Sequence, residues 1–267
     1  MLSKSTQITS LANPSVKRVM KLREARERKK TGLMIVEGMR EIDRALSAGV
    51  KFQEIFFCPD YINEVGEDIL KKWNHKNIRL TEVTKVVFSK VSYGDRQEGL
   101  VGIGVQPQRL LSDWKLKSAP LIVVLENVEK PGNLGAVLRS CDGAGIDGVI
   151  VCDNQTDIYN PNVIRSSVGT IFSLPVVQCS NEEAYEFLQK NRIKILVALV
   201  EAKTAYTAID LRCAIGFVMG SEPAGLSHFW KKHFTEAISI PLRGQADSLN
   251  VSTAAAILIY ETLRQRG

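Results

Sequence analysis

Residues able to do chemistry cluster in three short segments of the second half of this 267-residue chain. The first runs from Asn127 to Gly145 and holds Pro131, Gly132, Asn133, Gly135 and Arg139. Proline and two glycines make a tight turn into a helix. Arg139 is expected about one turn into that helix, near its positive end, where a cation works against the helix dipole. That sheet-to-helix switch is where open α/β sheets bind ligands. A guanidinium aimed there would bind phosphate or stabilise a developing oxyanion, with an ordinary surface arginine as the competing reading. The spacing G-x-x-G is not the dinucleotide fingerprint, and no G-K-[ST] follows, so a Walker loop is excluded.

The second segment, Phe217 to Ser227, takes a strand into Gly220-Ser221-Glu222-Pro223-Ala224-Gly225. Backbone without a Cβ lets a ligand approach closely; a plain strand–helix loop with Glu222 as a helix cap is the alternative. The third, Ile240 to Ser252, sets Ser248 and Asn250 on either side of Leu249 at the start of a helix. Both side chains suit N-capping. The small residues Ser252 to Ala256 then let that helix pack closely.

These segments need a frame. Leu121–Leu125 is an apolar run that suits a buried parallel strand. Further strands are read at 148–152, 193–199, 217–219 and 238–240. Helices are read up to Ala144, from Pro161, after the capping box Ser180-Asn181-Glu182-Glu183, and over 248–265. Alternation of this kind predicts a mostly parallel sheet with helices on both faces. The first part of the chain reads as a smaller α/β structure. It has strands at 33–36, 52–58, 78–80 and 100–105, helices at 38–48, 62–73 and 81–91, and a basic helix over 16–30. Periodicity fades over 106–119. The expected organisation is a small α/β unit at 1–105, a linker at 106–119 and a larger α/β domain at 120–267.

Charge separates the same parts. Residues 1–105 hold 19 Lys+Arg against 13 Asp+Glu, whereas residues 106–267 hold 16 of each. A basic module beside a neutral one suits a grip on a polyanion, although a solubilising surface would look the same. No apolar run approaches membrane-span length, and the N-terminus lacks the apolar core of a secretory signal. A soluble cytoplasmic protein without membrane contact is expected. The five cysteines form no C-x-x-C pair and read as buried thiols. His228 and His233 do not form H-E-x-x-H, so no metal is expected.

Taken together, the three segments resemble the motifs of the SpoU-type (TrmH-like) branch of the SPOUT RNA methyltransferases. The match rests on Asn133-Leu134-Gly135 with Arg139, Gly220-Ser221-Glu222 with Gly225-Leu226, and Ile240-Pro241 with Ser248-Leu249-Asn250-Val251-Ser252. Asn13-Pro14, Val16-Lys17 and Val36-Glu37-Gly38 are similar to the substrate-binding domain that often precedes this catalytic domain. Pro223-Ala224 departs from a common Gly-Glu, and Ser140 replaces a common threonine. Arg165 and the segment Ile171 to Val177 are similar to members acting on large-subunit ribosomal RNA, antibiotic-resistance enzymes among them.

The resemblance implies a sheet whose C-terminal part is tied in a trefoil knot, and a homodimer with the active site at its interface. It implies S-adenosylmethionine bound near Gly220, Ile240 and Leu249, and methyl transfer to a ribose 2′-hydroxyl of RNA, with ribosomal RNA as the expected partner. Arg139 would be catalytic, with Asn133, Glu222, Ser248 and Asn250 orienting it and the ribose. Arg165, Lys17, Arg18, Lys21 and Arg28 would meet RNA phosphates. Transfer RNA as substrate, or a non-catalytic RNA-binding assembly factor of the same fold, are the alternatives.

Overall fold

The computed structural model describes residues 7–74, 78–93, 98–153, 156–221 and 224–267. They form two compact units, Met1–Pro107 with Tyr159–Phe172, and Gln108–Ile158 with Ser173–Gly267. No helix among the described residues is long and apolar enough to cross a membrane.

The first unit begins with α1 (Pro14–Lys21). Asn13 caps it by accepting the Ser15 N–H at 2.9 Å, and Pro14 fills the first-turn position where its missing N–H costs nothing. The single basic helix expected over 16–30 is in fact two, because the chain turns at Leu22–Glu24 and restarts as α2 (Ala25–Thr31). Leu22 is buried in the core. The Leu22 and Arg23 carbonyls take Nη1 of Arg28, at 2.9 and 2.7 Å. Arg28 is therefore only 1% exposed and caps backbone carbonyls, which removes it from the residues available to phosphate.

Then come β1 (Leu33–Glu37), α3 (Met39–Ser47), β2 (Phe52–Phe57), α4 (Glu64–Asn74), β3 (Leu80–Glu82), α5 (Lys85–Val91) and β4 (Leu100–Val105). The sheet order is β1-β4-β2-β3, with only the β2–β3 pair parallel. The third strand lies two residues later than expected. Thr81 Oγ1 donates to the buried Glu54 carboxylate at 2.6 Å, and Thr84 caps α5, so the helix cannot begin at 81.

The second unit contains β5 (Leu121–Glu126), α6 (Pro131–Gly143), β6 (Gly148–Cys152), and, after α7 (Pro161–Ser166) and α8 (Thr170–Ser173), β7 (Val176–Cys179). It continues with α9 (Asn181–Lys190), β8 (Lys194–Ala198), β9 (Thr204–Ala205), β10 (Ile215–Met219), β11 (Glu236–Ser239) and α10 (Val251–Arg266). α7 itself groups with the first unit, where Arg44 Nη1 donates to the Val168 carbonyl at 2.6 Å. The seven-stranded sheet has the order β7-β6-β5-β10-β8-β11-β9, and every pair is parallel. β5, β6 and β10 are buried throughout, as continuous apolar runs covered on both faces must be. β10 enters between β5 and β8, and β11 between β8 and β9, so the last two strands occupy gaps left by earlier ones.

Residues 108–119 cluster with this unit. The Trp114 ring covers Gly148 so closely that a Cβ there would lie 2.4 Å from it. The thiols divide: Cys58, Cys141 and Cys152 are buried, Cys179 is intermediate, and Cys213 is exposed, unlike the buried position expected.

α10 matters most for function, since the third motif leads into it. Its far end is held by Arg266, which donates to the carbonyls of Ala119 (2.7 Å), Cys213 (2.6 Å) and Leu211 (3.1 Å). Arg266→Ala leaves three acceptors without their charged donor, and should lower unfolding free energy by about 2 kcal/mol in urea titrations.

Candidate active site

A cavity of about 350 Å³ opens where β8, β10 and β11 end. Its wall combines the glycine turn after β10 with the segment that follows β11, and Gly220, Ser221, Gly225, Leu226, Ile240 and Leu249 all line it. The three positions expected to bind cofactor, Gly220, Ile240 and Leu249, thus share one cavity.

The turn's shape explains its glycines. A Cβ on Gly220 would sit 2.2 Å from the carbonyl carbon and oxygen of Gly225, closer than any side chain permits. Gly225 takes φ +63°, and its N–H donates to the Ser221 carbonyl at 2.9 Å. This left-handed residue closes the loop back upon itself at little steric cost only as glycine. Ser221 is 4% exposed, and its hydroxyl has no hydrogen-bond partner among the described residues. A buried hydroxyl without a partner is costly. Here it belongs to the wall of a cavity. Met219, Ile238 and Leu242 add apolar surface, while Glu201 and Lys231 bring opposite charges to the lining. Sequence reading did not single out Glu201 or Lys231, because only the parallel packing of distant strands brings them here.

The first and third motifs meet at a hydrogen bond. Asn133, on the first turn of α6, accepts at Oδ1 from Asn250 Nδ2 at 3.2 Å. Asn250 is the N-cap of α10, and its Oδ1 accepts the Ser252 N–H at 2.9 Å and the Ser252 hydroxyl at 2.6 Å. Capping thus falls to Asn250, while Ser248 lines the cavity.

Arg139 stands apart from this group. α6 begins at Pro131, so Arg139 lies in its third turn, about 12 Å along the axis. The expected place about one turn into the helix is wrong, because Gly132 and Gly135 are inside the helix rather than in the turn before it. At this distance the N-terminal partial charge no longer reaches it. Its side chain is exposed, does not line the cavity, and makes no hydrogen bond or ion pair with the described residues. Glu222 lies outside the described residues. In the first unit Lys17, Arg18 and Lys21 are exposed on α1, with Arg18 bonded to Gln53, and Arg165 is half-buried on α7.

A profile of the SpoU rRNA Methylase family matches residues 120–260. The chain belongs to the SpoU rRNA methylase family. A second profile, for the MRM3-like substrate binding domain, matches residues 13–102 of this SpoU methylase. The family suggested by the three motifs is thus the one found. Over 254 residues the chain is 28% identical to RlmP of Bacillus subtilis (strain 168), a 23S rRNA (guanosine(2553)-2'-O)-methyltransferase; the match spans 95% of this chain and 98% of RlmP. Among solved structures, an RNA 2'-O ribose methyltransferase superposes with a TM-score of 0.86 at 36% identity, covering 98% of this chain and 99% of the other. An AdoMet-bound rRNA methyltransferase from Sinorhizobium meliloti superposes with a TM-score of 0.88 at 28% identity, covering 97% and 98%.

The glycine turn yields a direct test. Gly220→Ala must displace the Gly225–Leu226 peptide beside the cavity, and should weaken AdoMet binding by about tenfold or more in titration calorimetry.

Proposed function

We propose that this SpoU methylase transfers a methyl group from S-adenosylmethionine to a ribose 2′-hydroxyl of large-subunit ribosomal RNA. The observation that carries this reading is the glycine-turn cavity with the Asn133–Asn250 bond joining the first and third motifs. The cavity suits the cofactor chemically: apolar walls fit an adenine and the methionine carbon chain, the Ser221 hydroxyl has no hydrogen-bond partner among the described residues, and Glu201 and Lys231 complement a zwitterionic amino acid.

Bound S-adenosylmethionine supplies a methyl group already activated on a sulfonium. The protein's task is the ribose oxygen, a poor nucleophile while protonated. Arg139 would stabilise the negative charge that develops on that oxygen. A guanidinium keeps its proton at physiological pH, so a phosphate or water takes the hydroxyl proton. Asn133, Ser248 and Asn250 orient the ribose, and the family resemblance adds Glu222 to them.

The place of Arg139 supports a homodimer. Six residues separate it from Asn133 on one helix, which turns the two side chains about 120° apart. An Arg139 that faces away from its own chain's asparagine pair is available to a second copy. In this reading the active site is completed across the dimer. The order β8-β11-β9, with β10 beside β8, suits the family's trefoil knot, in which the chain leading to α10 threads an earlier loop. The unit at 1–105 would grip RNA backbone through Lys17, Arg18 and Lys21, with Arg165 contributing, while 120–267 carries catalysis and 106–119 joins them. Recognition by shape and phosphate suits A-form RNA, whose deep groove offers side chains little base information. A cytoplasmic location is compatible with a ribosomal RNA substrate.

Arg139→Ala should lower kcat for methyl transfer by about a hundredfold or more, the magnitude typical of losing one oxyanion-stabilising donor. Cofactor affinity should stay near that of the wild type in calorimetry. Appreciable turnover in this variant would reject the role given to Arg139.

A further inference from the structure

A second group of polar side chains is linked to the cavity wall through Ser227 and belongs to none of the three motifs. Glu126, the last residue of β5, is 1% exposed. Its Oε1 accepts Asn181 Nδ2 at 2.7 Å, and its Oε2 accepts the Ser227 N–H at 2.7 Å. Asn181 opens α9 and is 4% exposed. Its Oδ1 accepts Trp230 Nε1 at 2.6 Å, and its Nδ2 also donates to Asp153. Trp230 is fully buried. Among the described residues no cation pairs with the Glu126 carboxylate.

Such an arrangement is a poor way to gain stability. A buried carboxylate without a counter-charge carries a desolvation cost that an apolar residue of the same size would avoid. Charge crowds it further: burial, with Glu182 and Glu126 nearby, pushes the Asp153 carboxyl above its ordinary value. What the network does achieve is direction. An indole nitrogen can only donate, so Trp230 obliges the Asn181 oxygen to face it, which turns the amide NH2 toward Glu126. The second carboxylate oxygen is then left for one particular group, the backbone N–H of Ser227. That residue directly follows Gly225 and Leu226, both of which line the cavity. Glu126 also immediately precedes Asn127, the first residue of the first motif. One carboxylate therefore ties the entry of the first motif to the exit of the second.

We propose that Glu126 is a positioning residue for cofactor binding: oriented through Asn181 and Trp230, it holds Ser227 and thereby sets the Gly225–Leu226 wall of the cavity. The proposal rests on the reading of that cavity as the S-adenosylmethionine site. It differs from a purely structural role in one respect. Weakening the network should loosen cofactor binding at temperatures where the protein remains folded.

The test uses the full chain with S-adenosylmethionine, calorimetric Kd and steady-state methylation of ribosomal RNA. Glu126→Gln keeps the shape but turns an NH2 toward one of two donors. Trp230→Phe keeps the ring and removes the N–H. Each should raise Kd by about tenfold while kcat at saturating cofactor changes far less, and the double variant should be no worse than the weaker-binding single one, because both act through Ser227. Asp147→Asn is the control. This carboxylate is also buried, accepts the Leu121 N–H at 2.9 Å at the opposite end of β5, and should leave Kd unchanged. A folded Glu126→Gln protein that binds cofactor like the wild type overturns the proposal; if that variant does not fold, Trp230→Phe decides on the same criterion. Unchanged affinity in Gly220→Ala would instead overturn the cavity reading, and the proposal with it.

Discussion

Backbone passes backbone at Gly220 and Gly225 with no room for a side chain between them, and the active region is organised around that contact. The turn after β10 folds back tightly, and Gly220, Ser221, Gly225 and Leu226 from it contribute to the cavity wall. Packed this closely, the turn has few ways to adapt. Its shape is set by φ at Gly225, by the Gly225 N–H bond to Ser221, and by the hold on Ser227 one residue beyond Leu226. Small errors in any of these would alter the space left for a ligand.

The parallel sheet puts that turn where it is useful. β10 lies at the centre of the order, between β5 and β8, so its C-terminal end meets the segments leaving β5, β8 and β11. The first motif leaves β5 and starts α6; the third leaves β11 and starts α10. Packing of α6 on α10, with the Asn133–Asn250 bond at their N-terminal ends, brings these two motifs together although 117 residues separate them in sequence. Arg266 fixes α10 at its other end through three carbonyls, so both ends of this helix are defined by specific polar contacts.

Local signals were legible in the sequence, and non-local ones were not. Asn13-Pro14 and Ser180 to Glu183 mark helix starts through hydrogen bonds that span only two or three residues, and both form as read. Apolar runs such as Leu121–Leu125 announce buried parallel strands because no other setting hides five successive apolar residues so well. The three motifs named the family because their spacings act jointly. Other features depend on contacts that no spacing encodes. Arg28 looks like a phosphate ligand in a row of basic residues, yet it turns inward to cap Leu22 and Arg23. Arg139 looked close to a helix start until Pro131 proved to be inside the helix. Glu126 is unremarkable in sequence, since its meaning comes from Asn181 and Ser227, which lie 55 and 101 residues away.

In the homodimer proposed above, one protomer's cavity would work with the other protomer's guanidinium. Mixed dimers of Arg139→Ala and Gly220→Ala chains test it directly, with methylation of ribosomal RNA as the readout. At cofactor concentrations well below the Kd of the Gly220→Ala chain, each variant alone should have little activity. In a mixed dimer one of the two sites pairs an intact cavity with an intact Arg139, so activity should reappear on co-expression. If the mixture stays as inactive as the two parents, both residues must act within a single chain, and the account given for Arg139 is contradicted.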